Sequence, residues 1–327
     1  MKIAVTTYLC SSSYIDLNPS TCEDNNISEA KTKITNKGIN SSWIGKCIKN
    51  KKDYSDKNGY TFIKKELKKM PIDRNISWYK IKYLLEIMED SSIDWIFQTD
   101  FDSLFMRDDI KLESIIERAE NFGKKAVFPN QSHGLCSASD SGKLTYTEPA
   151  FCAGHFLIKN CKWSKNLLQK MWDFPEESIN HIRLLHGQHH EQCVINIFLR
   201  ENKFYLRDNS LIVENRLINS FMEGSTFETK PYDADTAYSE GDFIIHFAGM
   251  NFEQRDILVD EYLHRKNNKD KSTWRDIDWS QLINGLTYEE LRKKEKKNWA
   301  LKTEIERQMT RGHLKERPIR SRARKKT

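Results

Sequence analysis

Two carboxylates near the middle of the chain are the residues best placed to do chemistry. Asp100 and Asp102 follow the apolar run Ile93–Gln98. Side chains at i and i+2, beyond the end of a buried strand, can both aim at one hard cation such as Mg²⁺ or Mn²⁺. Ligands of open α/β sheets bind beyond the carboxyl ends of strands. The pair predicts a metal and diphosphate site; the alternative is a strand-end turn with two solvated aspartates.

The sequence context distinguishes this aspartate pair from two others of the same spacing. Asp233 and Asp235, and likewise Asp276 and Asp278, sit among turn or polar residues and follow no apolar strand. The motif alone is a weak indicator, so the preceding strand is what favours the first pair.

His246 is the second candidate metal ligand. It ends the apolar stretch GDFIIHFAG, and a neutral imidazole at a strand end is a plausible ligand. A histidine in such a place is more often a core residue. With the carboxylate pair elsewhere in the chain, and with Gly249 following to let the backbone approach a phosphate, we predict that His246 binds the metal.

Glu191 and Gln192 open an apolar helix in HGQHHEQCVINIFL and are candidates to face a polar substrate. The alternative is the ordinary preference of a glutamate for a helix N-terminus. His186, His189 and His190 precede them, but only Glu191 stands at ligand spacing, so a zinc site is disfavoured.

Lys80 and Gly154 are weaker candidates. Lys80 opens the helix before the aspartate strand and could neutralise a diphosphate, or it is ordinary surface charge. Gly154 precedes the run HFLIK and marks either close backbone approach to a sugar or a simple turn.

The elements that position these residues alternate between strands and helices. This alternation predicts an α/β domain with a mainly parallel central sheet flanked by helices. The predicted strands are 2–9, 60–64, 93–98, 125–129, 154–159 and 242–247, and the predicted helices are 76–89, 108–122, 163–172 and 188–200. Residues 11–40 are predicted to be largely loop.

Composition excludes several classes. Of the 327 residues, 38% are hydrophobic and 11% aromatic, enough for a sizeable core, so general disorder is excluded. No apolar run approaches the ~18 residues of a membrane span. The glycine-rich signatures of Rossmann and P-loop proteins and the nucleophile elbow of hydrolases are missing.

The charge is concentrated in a tail. The net charge of +6 matches the excess of basic residues in 313–327, so the body is electrically even and nucleic acid is an unlikely partner. From about Tyr288 the sequence reads as a charged helix. We therefore predict a catalytic domain over 1–286 and a charged helical appendage with a flexible tail over 287–327.

Five segments in order resemble a known family. They are VTTYL, WYKIKYLLEIMEDSSIDWIFQTDFDSLF, AGHFLIKNCKWSKNLLQKMW, HHEQCVINIFL and GDFIIHFAGM. The set is similar to glycosyltransferase family thirty-four over roughly residues 1–252. This family contains fungal galactosyl- and mannosyltransferases and plant xylosyltransferases. Departures at Cys152-Ala153-Gly154 and at His190 leave the choice of sugar or acceptor open.

The resemblance implies a GT-A fold, a divalent cation (usually Mn²⁺, or Mg²⁺), a nucleotide-sugar donor and retention of anomeric configuration. Asp100 and Asp102 would hold the metal and the ribose, and His246 would be the remaining protein ligand. Glu191 and Gln192 would lie on the reacting face of the sugar. The other expected contacts to the donor are Thr6, Tyr8, Lys80, Gly154 and Gly249.

The sequence thus predicts a metal-dependent retaining glycosyltransferase that moves a sugar, with a UDP-linked donor favoured, to a glycan or other hydroxyl acceptor. Whether Glu191 is a covalent nucleophile stays open, and the rival mechanism is a same-face substitution in which the diphosphate takes the acceptor proton. The alternatives are a sugar nucleotidyltransferase, although VTTYLCSSSY has no glycine for a phosphate loop, and a non-catalytic carbohydrate- or nucleic-acid-binding protein.

We expect a soluble, cytoplasmic enzyme of bacterial or viral origin, or a fragment without a Golgi anchor. The oligomeric state stays open.

Overall fold

The structure is a computed structural model. It describes residues 1–10, 42–67, 76–138, 144–175, 191–222, 237–248, 250, 252–268, 290 and 293. The predicted loop over 11–40, the first residues of the helix predicted over 188–200 and nearly all of the predicted appendage over 287–327 lie outside these residues. The proposed domain boundary stays a prediction for the same reason.

A central mixed sheet forms the middle layer, with the strand order β2-β1-β3-β7-β5-β6 and β8 also paired to β5. β1 is parallel to β2 and β3, and β8 is parallel to β5, whereas β7 is antiparallel to both β3 and β5. The strands are β1 Ile3–Cys10, β2 Thr61–Leu67, β3 Trp95–Thr99, β5 Ala126–Ala138, β6 Leu144–Phe151, β7 His155–Lys159 and β8 Ser210–Val213.

This topology confirms the predicted α/β class and corrects one detail, since the sheet is mixed and not mainly parallel. The direction of β7 is the reason. It begins beside the end of β3, pairing His155 with Thr99, and runs back along it. Gly154 is therefore brought next to Asp100, whose N–H donates to the Gly154 carbonyl at 2.8 Å.

A small second sheet brings the histidine strand to the aspartates. Strand β10, Ile244–His246, is antiparallel to β4, Ser103–Phe105, and parallel to β9, Ser220–Phe221. The register places His246 opposite Ser103, directly after Asp102.

Helices cover both faces of the central sheet. The helices of the described residues are α1 Trp43–Asn58, α2 Tyr79–Ile87, α3 Leu112–Asn121, α4 Lys162–Trp172, α5 Glu191–Arg200, α6 Leu206–Asn209, α7 Asn215–Ile218 and α8 Phe252–Asn267, with 3₁₀ turns at Ile76–Trp78 and Lys203–Tyr205. Helix α8 packs on α1 and the small sheet. Helix α1, which the sequence did not reveal, starts at a Ser42 cap and ends at Gly59, where φ is +74°.

Burial on both faces explains why β3 is apolar throughout. Trp95 and Phe97 pack into a core formed with α3, whereas Ile96 packs into the opposite core, formed with α2, α4 and α5. A strand covered on both sides loses the alternation of a half-exposed strand. The chain therefore leaves a buried strand at Thr99 and reaches the sheet edge at Asp100.

Among the described residues, no helix has the length and apolar character needed to cross a bilayer.

Candidate active site

Three ligand-type side chains meet beyond the end of β3. The candidate ligand atoms of Asp100, Asp102 and His246 all lie within 4.8 Å of one another. His246 Nε2 is 3.2 Å from Asp102 Oδ1 and 4.0 Å from Asp100 Oδ2. Adjacent ligands of one octahedral Mg²⁺ or Mn²⁺ lie about 3 Å apart and opposite ligands about 4.2 Å, so both histidine–carboxylate spacings fit a single divalent ion, and the widest spacing would need to close by about half an ångström. Two oxygens with one imidazole nitrogen suit Mn²⁺ or Mg²⁺.

Each aspartate also faces a fixed cation. Asp100 Oδ1 is 3.0 Å from Lys80 Nζ, and Asp102 Oδ2 is 3.0 Å from Arg255 Nη2. Burial raises the pKa of Asp100, and Lys80 opposes this only in part. For Asp102, burial acts in the same direction, but His246 and Arg255 outweigh it and hold the pKa well below its usual range. Asp102 is thus a permanent carboxylate.

Lys80 is a buried cation shared by several elements. Its Nζ contacts Asp100 Oδ1, Glu191 Oε1 at 2.8 Å and the Ala153 carbonyl at 2.9 Å. Burial would lower the pKa of Lys80, but the two carboxylates keep it well above its ordinary value. These acceptors use all three N–H groups of the ammonium. In this arrangement, the ammonium has no N–H left for a further hydrogen bond.

Glu191 and Gln192 stand at the start of α5 and do different things. Burial would raise the pKa of Glu191, yet Lys80 lowers it below the usual value, so the buried side chain is ionised at neutral pH. Gln192 Oε1 instead accepts a hydrogen bond from the Ala153 N–H at 2.9 Å. Glu191 therefore brings an ionised carboxylate to the site, while Gln192 holds the segment before Gly154 through the Ala153 N–H.

Gly154 lies against the metal-type ligands. A Cβ atom there would be 2.8 Å from His246 Cε1 and 3.2 Å from Asp100 Oδ2. Any side chain would push one of these groups aside, so the glycine is needed for the cluster to form.

The loop that carries the aspartates is fixed from behind by α1. Lys51 Nζ, fully buried, donates to the carbonyls of Phe101 and Ser103 at 3.1 and 2.5 Å. Trp43 stacks on Phe101 with ring centroids 5.7 Å apart, and Arg255 lies over the Trp43 ring. These contacts leave the loop little freedom to turn its carboxylates away.

Most of the site residues predicted from the sequence lie together in the structure. Asp100, Asp102, His246, Lys80, Glu191 and Gly154 converge, and Tyr8 lies beside them with its ring 5.8 Å from Lys80 Nζ. Burial raises the pKa of Tyr8, so its hydroxyl stays protonated. Thr6 is buried within the sheet, where its carbonyl accepts from Thr99 Oγ1. Gly249 lies outside the described residues.

Arg255, Lys51 and Asn219 were not foreseen. Arg255 is one charge in a mixed-charge helix, Lys51 one of many lysines, and Asn219 has no recognisable motif around it. The contact that each makes with the aspartate loop or the histidine is to a residue at least 27 positions away in the chain, so no local pattern could reveal it.

Fold and site together define an α/β protein with an aspartate–aspartate–histidine cluster beyond its central strands. The chain belongs to the galactosyl transferase GMA12/MNN10 family, whose model matches residues 27–257, more than half of the chain. The family resemblance predicted from the sequence is thereby confirmed.

Two curated fungal relatives match the chain. The probable alpha-1,6-mannosyltransferase MNN10 of Saccharomyces cerevisiae is 28% identical over 227 residues, which cover 64% of this chain and 56% of that protein. The uncharacterized alpha-1,2-galactosyltransferase C637.06 of Schizosaccharomyces pombe is 27% identical over 245 residues, 70% of this chain and 69% of that protein. The chain thus spans little more than half of the first relative's length.

Solved structures offer distant likenesses only. A glycosyltransferase involved in glycosylation of the major capsid of PBCV-1 has a TM-score of 0.49 at 11% identity, covering 80% of this chain and 100% of that one. The galactosyltransferase LgtC, solved with donor and acceptor sugar analogs, has a TM-score of 0.42 at 12% identity, with 85% and 99% covered.

Proposed function

We propose that this protein is a metal-dependent, retaining glycosyltransferase that moves a sugar from a nucleotide donor to a hydroxyl acceptor. The observation that carries the proposal is the cluster of Asp100, Asp102 and His246 with Glu191 held close by through Lys80. Family membership supplies the reaction class, and the cluster supplies groups suited to a diphosphate and a sugar. A glycan is the expected acceptor.

The donor diphosphate is held through a cation in this proposal. Asp100, Asp102 and His246 would bind Mn²⁺ or Mg²⁺, which would neutralise the charge that develops on the departing diphosphate. Arg255 and Lys80 orient the two aspartates, and Arg255 helps to keep Asp102 ionised. Because these groups are fixed before the donor arrives, they need no reorganisation as the charge develops.

Glu191 is the residue proposed to act at the sugar. Its carboxylate is ionised, buried and held by Lys80, so it is oriented and ready to meet an electron-poor anomeric carbon. In one route, Glu191 attacks the anomeric carbon as its bond to the diphosphate breaks, which gives a covalent glycosyl carboxylate. The acceptor oxygen then displaces the carboxylate and gives its proton to the released diphosphate. In the other route, the acceptor oxygen bonds to the anomeric carbon on the face that the diphosphate leaves, the diphosphate takes the acceptor proton, and Glu191 stabilises the positive charge on the sugar. Both routes retain the anomeric configuration.

The names of the two fungal relatives guide the choice of donor. They specify alpha-1,6-mannosyl and alpha-1,2-galactosyl transfer, and nucleotide donors of mannose and galactose carry the sugar in α linkage. Formation of an α product from such a donor is retention. UDP-galactose, GDP-mannose and UDP-xylose are therefore the donors to test, with a UDP-sugar favoured.

The test is release of nucleotide from each donor, with and without Mn²⁺, by the wild-type protein and Asp102→Ala. We expect release from one donor that requires Mn²⁺ and falls on the order of 10²-fold in the variant. Asp53→Ala, at an exposed ion pair with Lys49 on α1, is the matched control and should keep full activity. Equal activity of Asp102→Ala and wild type would refute the metal site, and no turnover of any donor by folded wild-type protein would refute the transferase.

A further inference from the structure

A buried polar network stands behind the metal-type ligands, centred on Asn219. Its side-chain oxygen Oδ1 lies 2.9 Å from His246 Nδ1 and 2.6 Å from His155 Nδ1. Asn219 and His155 are completely buried, and the two imidazole rings meet edge to face at 4.8 Å. One amide thus contacts the rear nitrogen of a candidate metal ligand and of its neighbour.

The surrounding bonds fix which way this amide points. Asn219 Nδ2 donates to Asn215 Oδ1 at 2.9 Å and to Cys152 Sγ at 3.2 Å. Asn215 in turn donates through its own Nδ2 to the Asn219 carbonyl at 2.7 Å, so Asn215 must present its oxygen to Asn219. Turning the Asn219 amide over would set two oxygens against each other. The oxygen of Asn219 therefore faces both histidines.

The protonation pattern of His246 follows from this orientation. An amide oxygen only accepts hydrogen bonds, so the Nδ1 atoms of both histidines must carry hydrogen. A histidine that binds a metal through Nε2 carries no hydrogen there, and Nε2 lies 3.2 Å from Asp102 Oδ1, which is also an acceptor. Two acceptors at this distance repel each other unless a positive charge joins them, and in the absence of metal a proton between them has that role. A metal ion bound by both would replace this proton.

We propose that Asn219 is a positioning residue that holds His246 in the Nδ1–H form, leaving Nε2 to bind the divalent cation. The inference rests on the metal site of the proposed function. His155 completes the arrangement, since its Nε2 lies 2.8 Å from Ser103 Oγ, which donates to the Asp100 carbonyl at 2.9 Å. The network thus connects His246 Nδ1 with the backbone carbonyl of Asp100. Loss of such contacts to metal ligands commonly changes metal affinity 10- to 100-fold.

The test is Mn²⁺ affinity, measured from the electron paramagnetic resonance signal of free Mn²⁺ without any donor. Asn219→Leu removes the acceptor and should weaken Mn²⁺ binding about 10- to 100-fold. Asn219→Asp keeps an oxygen toward both histidines, although its second oxygen faces Asn215 Oδ1, and should bind Mn²⁺ more tightly than Asn219→Leu. Tyr54→Phe is the control for stability alone, since it breaks a buried hydrogen bond from α1 to the Ile110 carbonyl that involves none of the cluster residues. All four proteins are compared where circular dichroism shows them folded.

The outcomes separate this inference from the proposed function. Wild-type affinity in folded Asn219→Leu would overturn the role of Asn219 and leave the metal site standing. Equal loss in Asn219→Asp and Asn219→Leu, or a similar loss in Tyr54→Phe, would show that Asn219 acts only through packing. Failure of folded wild-type protein to bind Mn²⁺, alone or with UDP, would overturn the metal part of the proposed function and this inference with it.

Discussion

At the scale of single residues, charge balance determines what each group at the site can do. Lys80 is enclosed by two carboxylates and a carbonyl, so it stays charged although it is only 3% exposed. Its presence makes Glu191 an ionised side chain in a place where burial would otherwise favour the neutral acid. A carboxylate kept ionised out of water can respond strongly to a positive charge developing on a sugar.

Glu191→Gln tests that argument, because it removes the charge while keeping the shape of the side chain. We expect turnover to fall by more than about tenfold if Glu191 reacts directly or stabilises the sugar cation. The measurement is the steady-state rate with whichever of the three proposed donors the wild-type protein turns over. Glu120→Gln, at an exposed pair with Lys159, is the control and should leave the rate unchanged. A variant that retains more than about a tenth of the rate would exclude the nucleophile role.

Gly154→Ala tests the close packing of the cluster. The added methyl would meet His246 Cε1 at 2.8 Å and Asp100 Oδ2 at 3.2 Å, so one ligand must move. We expect Mn²⁺ affinity to fall at least about tenfold, since misplaced ligands bind metal poorly. Isothermal titration with MnCl₂ provides the measurement.

The comparison variant is Gly123→Ala, where φ is +65° and no atom lies within 4 Å of the new methyl. That change should cost about 1 kcal/mol of stability through backbone strain and leave Mn²⁺ affinity intact. Equal Mn²⁺ affinity in Gly154→Ala and wild type would mean that the cluster tolerates the methyl and does not need the glycine.

At the scale of elements, helix α1 and strand β10 hold the two halves of the cluster. Strand β10 is anchored by Asp242, a fully buried carboxylate that accepts two hydrogen bonds from Arg216, at 2.8 and 3.2 Å, and one from Ser220 Oγ. Helix α1 holds the aspartate loop through Lys51, whose buried ammonium donates to two loop carbonyls. Ligand geometry therefore depends on groups that never touch the ligands' reactive atoms.

Lys51 gives this support a pH signature. Burial lowers the pKa of Lys51 to about 8, below its ordinary value of 10.5. Between these values the unfolded state binds more protons than the folded state, so the contribution of Lys51 to stability rises with pH. Below the lower value the side chain is charged in both states and the contribution is constant.

The expected result is that Lys51→Met becomes more destabilising, relative to wild type, as the pH rises. The difference in free energy of unfolding should grow by about 2 to 3 kcal/mol between roughly pH 7 and pH 10. Urea denaturation of both proteins across that range measures it, and the difference cancels the titration of buried tyrosines common to both. A difference that stays flat or shrinks would show that Lys51 is not charged and buried as the structure has it.

Whether a helix or strand could be predicted from the sequence depended on whether its residues form a local pattern or are explained only by contacts with distant parts of the chain. The aspartate strand and the histidine strand were both recognised, because each ends an apolar run that local pattern makes visible. Helix α1 was missed, since its buried face includes Asn50 and Lys51, which resemble surface residues until their backbone partners are known. The start of α3 was predicted too early, at Asp108, because that carboxylate pairs with Lys266 and not with a helix terminus.

At the scale of the whole molecule, the direction of one strand completed the site and could not be predicted. Nothing in the residues of β7 specifies that it runs antiparallel to β3, yet this direction places Gly154 against Asp100. Side-chain chemistry and local periodicity thus identified most ligands, whereas the sheet topology determined how they meet.

The electrically even body and the basic tail lead to a last prediction for the whole chain. Removal of residues 313–327 should leave donor binding unchanged, because the seven basic residues there follow, in sequence, all the described residues that support the cluster. Thermal unfolding of the full chain and of residues 1–312 with UDP or GDP, with and without Mn²⁺, tests this. A ligand that binds only the folded state raises the melting temperature by about the same amount in both proteins. Nucleic-acid binding, if the full chain shows any, should disappear with the tail. A Mn²⁺-dependent shift seen only in the full chain would instead make the tail part of the donor site.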